Sequence, residues 1–244
     1  MSLETDVANL VTKATQLIDY FNGKKTGIDA AVAAAIAAVP AMSKTFYVDS
    51  VAGIDTNDGS LSAPLKTIDK AVANTPAGGI CVVNLVNDYT MTGTITNSLQ
   101  LLHIKSSLSQ TKRKLNLGYY LQESDYRLAG FTFGTGGTVM LTDITLGFPS
   151  IAGLNPAPQP FYNTFFKTGS VAGIPLIAVK MSRCDVQSAA DGTGALFVRL
   201  SSAVALMVAE VTFPSGFGGR YISGIASGAD PKAYADIITN LTAL

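Results

Sequence analysis

Asp143, Arg183 and Glu210 are the residues of this chain whose types and spacing best suit chemistry. Each takes the third place in a loose apolar-x-x-apolar-x-apolar motif. The copies are Leu141/Ile144/Leu146, Met181/Cys184/Val186 and Val208/Val211/Phe213. If successive copies stack, the three side chains share one outward face. Glycoside hydrolysis needs two carboxyl groups flanking the scissile bond. Asp143 and Glu210, with Arg183 between them, therefore form a candidate catalytic pair. The plainer reading is an exposed ion ladder, which contributes little stability.

Two further copies of the motif, Leu99/Leu102/Ile104 and Leu128/Phe131/Phe133, carry Leu101 and Gly130 at the third place. The fifth place holds His103, Thr132, Thr145, Asp185 and Thr212, and stacked threonines are ordinary strand chemistry. His103 is the single histidine. It falls at an outward position of Leu102-His103-Ile104, so a triad built on it is not expected. No Cys/His cluster has metal-ligand spacing, and neither metal nor other cofactor is expected. Asp55-Thr-Asn57-Asp58-Gly59 invites a calcium reading. An EF-hand loop opening at Asp55 would need Gly and Glu where Ser60 and Lys66 stand. Asn and Asp in such loops fold back on their own backbone instead. Paired aromatics at Tyr119-Tyr120, Phe161-Tyr162 and Phe165-Phe166 suit sugar stacking, protein contact or a subunit interface.

The elements that must position these residues can be read from composition and period. Lys and Arg together number 17, as do Asp and Glu, so no basic field for nucleic acid exists. Lys112-Arg113-Lys114 reads as a solvated loop. Charged residues are 14 % of the chain against roughly 25 % in an average domain, and mean hydropathy is +0.32. So little charge points to an oligomer that buries part of its own exterior. The apolar stretches Ile28 to Met42 and Leu200 to Ala209 are too short to span a bilayer, and membrane insertion is not expected. The opening Met-Ser-Leu-Glu-Thr-Asp lacks the form of a secretory signal. Cys81 and Cys184 are expected as buried thiols of a protein assembled in a reducing cytosol.

Leu3, Val7, Leu10, Ala14, Leu17 and Phe21 have the alternating spacing of a coiled-coil seam. One amphipathic helix docked on its own domain would carry the same stripe. Asn22 to Gly27 should interrupt this helix. A second, Ala-rich helix follows over 29–39, with Ile28, Val32, Ile36 and Val39 along one side, and Pro40 ends it.

Residues 46 to 72 then read Phe46-Tyr47-Val48-Asp49, a loop through Gly53, Asp55, Asn57, Asp58 and Gly59, and Pro64-Leu-Lys66-Thr67-Ile68-x-x-Ala71-Val72. That predicts a strand, a tight Asx/Gly loop and a short helix with Ile68 and Val72 on one face. The pattern resembles the entrance cap of right-handed parallel β-helix proteins, a group holding pectate-lyase-like enzymes and bacteriophage tailspikes and tail fibres. Joined to the helical stem, it looks like a virion fibre. The resemblance implies a homotrimer attached to other virion proteins through its stem, with a β-helix facing a host glycan or protein. Some relatives carry carboxylate-based depolymerase sites.

Ile80 to Val86 is a continuous apolar run, as in a fully buried strand. The motif copies at Leu99 and Leu128 are 29 residues apart and those at Met181 and Val208 are 27 apart, spacings that suit one coil of a solenoid. Phe148 to Phe161, rich in proline, reads as an excursion. A β-sandwich with irregular strands is the rival architecture. Asp230-Pro231 should open a closing helix with Tyr234, Ile237, Ile238 and Leu241 on its apolar face.

The expected organisation is a helical stem over 1–40, a cap over 41–79, a β-helical body over 80–226 and a C-terminal helix over 227–244. The expected function is a non-enzymatic, homotrimeric fibre of a tailed phage, located in the virion. The alternatives are a polysaccharide depolymerase and a head or collar decoration.

Overall fold

The computed structural model describes residues 2–108, 111–134, 137–168, 176–198 and 202–244, with backbone alone at 37–41. The chain divides into two units, Met1–Met42 and Ser43–Leu244.

The first unit is one helix, α1, Leu3–Ala41. The break expected at Asn22 to Gly27 does not occur. Gly23 and Gly27 each cost about 1 kcal/mol relative to alanine, but glycine keeps its N–H and leaves the helical hydrogen bonds possible. The Ala-rich run that follows favours the helix, Thr26 Oγ1 donates to the Asn22 carbonyl, and Lys25 pairs with Asp29 at 3.4 Å. The helix ends one residue past Pro40. Leu3, Val7, Leu10, Leu17 and Phe21 are all exposed, as are Ile28, Val32 and Ile36. The Val39 side chain lies outside the described set.

The second unit is mainly β and its three large sheets are parallel. Sheet A holds seven strands: β1 (Ser43–Val48), β2 (Ile80–Leu85), β5 (Leu101–Ser106), β10 (Thr138–Thr142), β13 (Leu176–Ser182), β16 (Ala203–Ala209) and β17 (Ile237–Thr239). Sheet B stacks β3 (Tyr89–Met91), β6 (Arg113–Leu117), β11 (Ile144–Phe148) and β14 (Asp185–Ser188). Sheet C stacks β4 (Thr94–Asn97), β9 (Gly130–Phe133), β12 (Thr164–Thr168) and β15 (Ala195–Phe197). From β2 onward the chain visits A, B and C in rotation. A two-stranded antiparallel hairpin, β7 (Tyr119–Gln122) and β8 (Asp125–Leu128), is inserted between a B strand and a C strand.

Register explains the sequence pattern. In sheet A, Phe46, Val83, Ile104, Leu141, Met181 and Val208 are successive partners in one row, and the first five are buried. In sheet C, Ile95, Phe131, Phe166 and Phe197 form another row, with ring centroids 6.2 and 5.1 Å apart between the phenylalanines. In sheet B the row is Tyr89, Leu115, Leu146 and Val186. Parallel strands put like residues above like, so each row fills the interior with one kind of side chain. The last three motif copies follow this register. The first two do not: Leu99 precedes a sheet A strand, whereas Leu128 ends the hairpin ahead of sheet C. Their spacing of 29 residues is therefore not one coil.

The strand, loop and short helix expected over residues 46–72 are present. Leu65 forms a parallel bridge with Val48, covering the outer edge of β1, and Asp49 N–H donates to the Leu65 carbonyl. Helix α2, Ile68–Ala73, buries Ile68, Ala71 and Val72, and Thr67 is its N-cap. Cys81 and Cys184 are buried free thiols.

The closing helix is not formed. Asp230 caps and Pro231 begins a single 3-10 turn, Pro231–Ala233, after which Ile237–Thr239 pairs with β16 as the last strand of sheet A. β-Branched residues favour a pleated surface over a helix. Asn240 continues the pairing with its side chain: Oδ1 accepts from Val208 N–H at 2.9 Å and Nδ2 donates to the Val208 carbonyl at 2.6 Å.

Candidate functional site

A concave site lies on the outer face of sheet C. It is a cleft of about 300 Å³ whose lining includes Tyr120, Arg127, Thr132, Tyr162 and Lys167. Strand alternation builds the floor. Phe131 and Phe166 point inward, so their neighbours Thr132 and Lys167, partners in register, point out. Two insertions at successive B-to-C connections supply the walls. One is the β7–β8 hairpin, whose turn places Glu123 at φ 57°. The other is the excursion between β11 and β12, which brings Phe161 and Tyr162. Leu128 N–H donates to the Tyr162 carbonyl at 2.9 Å and joins the two walls. A bond of 2.6 Å between Tyr120 Oη and Thr94 Oγ1 ties the hairpin to the floor.

The cleft is cationic and aromatic. Arg127 stacks on the Tyr162 ring at 4.0 Å from its centroid, and its Nε has no hydrogen-bond partner. Lys167 is 6 % exposed and donates to the Leu128 carbonyl at 2.6 Å. Burial, with the Arg127 charge in support, pushes the Lys167 ammonium down to about 8. Among the described residues no carboxylate forms an ion pair with either cation.

The carboxylates singled out by sequence lie at another connection. Asp143, Arg183 and Glu210 occupy the A-to-B turn of three successive repeats, all left-handed at φ 55°, 50° and 56°. Arg183 clamps Asp143 in a two-pronged pair, Nε to Oδ1 at 2.7 Å and Nη2 to Oδ2 at 2.9 Å. This contact is the leading cause that holds the Asp143 carboxyl below its ordinary range. Glu210 is two strands from Asp143, roughly 10 Å at the usual strand spacing, with Arg183 on the strand between. An inverting pair places a water in that gap, where this turn places a guanidinium on the Asp143 carboxylate. Arg183 and Asp143 form one ion pair and Lys112 and Asp185 a second at 2.8 Å, while Glu210 joins neither among the described residues.

His103 is outward on β5, with Nε2 2.9 Å from Thr142 Oγ1. The acidic cap loop is spent on its own backbone. Asp49 Oδ1 accepts from Val51, Ala52 and Asn87, and Asp55 accepts from Lys66 N–H, Thr67 N–H and Thr67 Oγ1. Asp58 accepts from Ser60 N–H, and Asn57 Nδ2 donates to the Pro64 carbonyl. Gly59 is left-handed at φ 82°, where a Cβ would also strike the Phe46 ring. Among the described residues no group of His, Cys, Asp and Glu could hold a metal.

Sequence reading flagged the Tyr119-Tyr120 and Phe161-Tyr162 pairs but missed Arg127 and Lys167. It also placed Phe165-Phe166 in a loop, whereas both are buried in β12. A lysine directly after two core phenylalanines was the available signal. Comparison with protein families, curated proteins and solved structures found no match to this chain.

Proposed function

We propose that this chain is the structural subunit of a homotrimeric fibre on the virion of a tailed bacteriophage, joined to other virion proteins through α1. The exposed apolar sector of α1 carries this reading. Counting heptads with Val7, Ala14, Phe21 and Ile28 at a and Leu3, Leu10 and Leu17 at d, the apolar residues Val11, Ile18 and Val32 fall at e. All three are exposed. A strict a/d stripe is the narrow seam of a coiled coil. Adding e widens it to a face that two neighbouring helices can cover at once. A helix of 39 residues with such a face needs partners to bury it.

The three parallel sheets, visited in rotation, support a β-helix as the outer body. Crossovers between parallel strands are right-handed in about 98 % of cases, so we infer a right-handed coil. The Asp49-to-Val72 segment, with turns at Asp49 and Asp58 and a loop closed by Asp55 on Thr67, fits the entrance of such a coil. The enzymatic alternative draws no support from the A-to-B turn, where Asp143 is engaged by Arg183 on both oxygens.

The test is the solution mass of the full chain beside a chain lacking residues 1–40, by sedimentation at micromolar concentration. A trimer that becomes a monomer on truncation is expected. A full-length monomer overturns the proposal.

A further inference from the structure

We propose that the cleft between the β7–β8 hairpin and the excursion ending at Tyr162 binds a carboxylate-bearing pyranose, with Arg127 and Lys167 on the carboxylate and Tyr120 and Tyr162 against the ring. The site deepens the fibre reading by naming what the exterior would recognise, but its chemistry rests on the cleft alone.

Two cations share one concave site without an anionic partner among the described residues. A buried lysine without a carboxylate is costly. Lys167 has three N–H donors, and the Leu128 carbonyl takes one. Arg127 keeps a buried, unpartnered Nε, and its guanidinium carbon lies over the Tyr162 ring at 4.0 Å from the centroid. An arginine set over an aromatic ring presents a fork of donors suited to a planar carboxylate. Beside them the cleft is lined by the aromatic rings of Tyr120, Phe161 and Tyr162, the last carrying Arg127 on one face, and by the threonines Thr94 and Thr132. Aromatic faces with hydrogen-bonding groups at their edge match a sugar ring, whose C–H face is apolar and whose rim is polar. The ligand must therefore carry one negative charge and one ring. An inorganic anion lacks the second feature, and a neutral sugar lacks the first.

The experiment measures binding of the full chain to a uronic-acid oligosaccharide, a sialylated oligosaccharide and a neutral oligosaccharide of equal length, by saturation-transfer NMR and calorimetry. At least one acidic sugar is expected to bind, and the neutral one more than tenfold more weakly. Which acidic arm binds separates the two sources of the carboxylate. Lys167→Met and Arg127→Gln should each weaken the acidic sugar at least tenfold, while Lys180→Gln, at an exposed position of β13, leaves it unchanged. Melting curves confirm that the variants are folded. Should Lys167→Met fail to fold, Arg127→Gln alone decides. Equal binding of neutral and acidic sugars, indifference to Arg127→Gln, or no binding of either acidic sugar at millimolar concentration overturns the assignment. A trimer that binds neither acidic sugar removes the cleft proposal alone, and a monomer that binds one removes the fibre proposal alone.

Discussion

Lys167 destabilises the body at neutral pH, and that makes its role measurable. Its folded value lies near 8 against an ordinary 10.5. Between those values the unfolded chain binds the more protons, so stability rises with pH. Tyr89 and Tyr119, pushed up to about 12 by burial, act in the opposite sense, but only above about pH 10, where unfolded tyrosines ionise first. The buried thiols of Cys81 and Cys184, also pushed up by burial, act in the opposite sense from about pH 8.5. Denaturant titrations are therefore read against Lys167→Met. From about pH 7 to about pH 10 the native sequence should show a rise in stability relative to that variant, up to a limit of about 3 kcal/mol. A native sequence that changes in parallel with the variant would refute the assignment to Lys167. Glu210 offers a second test. A non-glycine residue in the left-handed region costs about 1 kcal/mol, and Glu210 is exposed and forms no ion pair among the described residues. Glu210→Gly should be neutral or stabilising by up to about 1 kcal/mol in thermal unfolding. A loss above about 1 kcal/mol would mean that Glu210 contributes more than an exposed ion pair does.

At the scale of elements, the close fit of sheet C predicts where the fold is intolerant. A Cβ on Gly130 would strike the carbonyl of Phe165, so Gly130→Ala should cost about 3 kcal/mol by overpacking. Phe166→Ala, which empties the middle of the phenylalanine row, should cost about 4 kcal/mol. Urea titration reads both, and a cost under about 1 kcal/mol for Phe166→Ala would mean that the row is not packed as described. These elements were unequally legible in the sequence. The strand, loop and helix over residues 46–73 were readable because Asp49 and Asp58 turn on N–H groups two residues ahead, Gly59 is left-handed and Thr67 is a local helix start, whereas the reach of Asp55 to Thr67 and of Asn57 to Pro64 was not. The last three motif copies were readable because inward positions repeat in type. The continuous α1 was not, since two glycines lower helix propensity without blocking the helix. The final strand was not, because Ile237 and Ile238 also fit a helical stripe, and only pairing with β16 decides. The cleft was least legible. Arg127 and Lys167 are separated by a whole circuit of the three sheets, and nothing local says that both insertions leave at the same connection.

For the whole molecule, the two units should respond separately to change. Gly23 and Gly27 have open space where a Cβ would stand. Replacing both with alanine should raise the melting temperature of the helical signal, with a gain of about 1 kcal/mol per site, and leave the unfolding of the β body unmoved. A fall in that temperature would show that a partner helix approaches one of the glycines. The division of labour within the body carries a different consequence. The interior rows are laid down by strands, whereas the walls of the cleft come from segments that leave the sheets at one connection and return to it. Selection can therefore rewrite the exposed parts of 121–126 and 150–160 without disturbing the stacked phenylalanines beneath them, whereas Leu128 and Asn163 are buried and stay with the interior. A scaffold of this kind separates what is recognised from what holds the chain folded. On the proposed fibre reading, what the exterior recognises would change by exchange of two short segments while the interior stays the same.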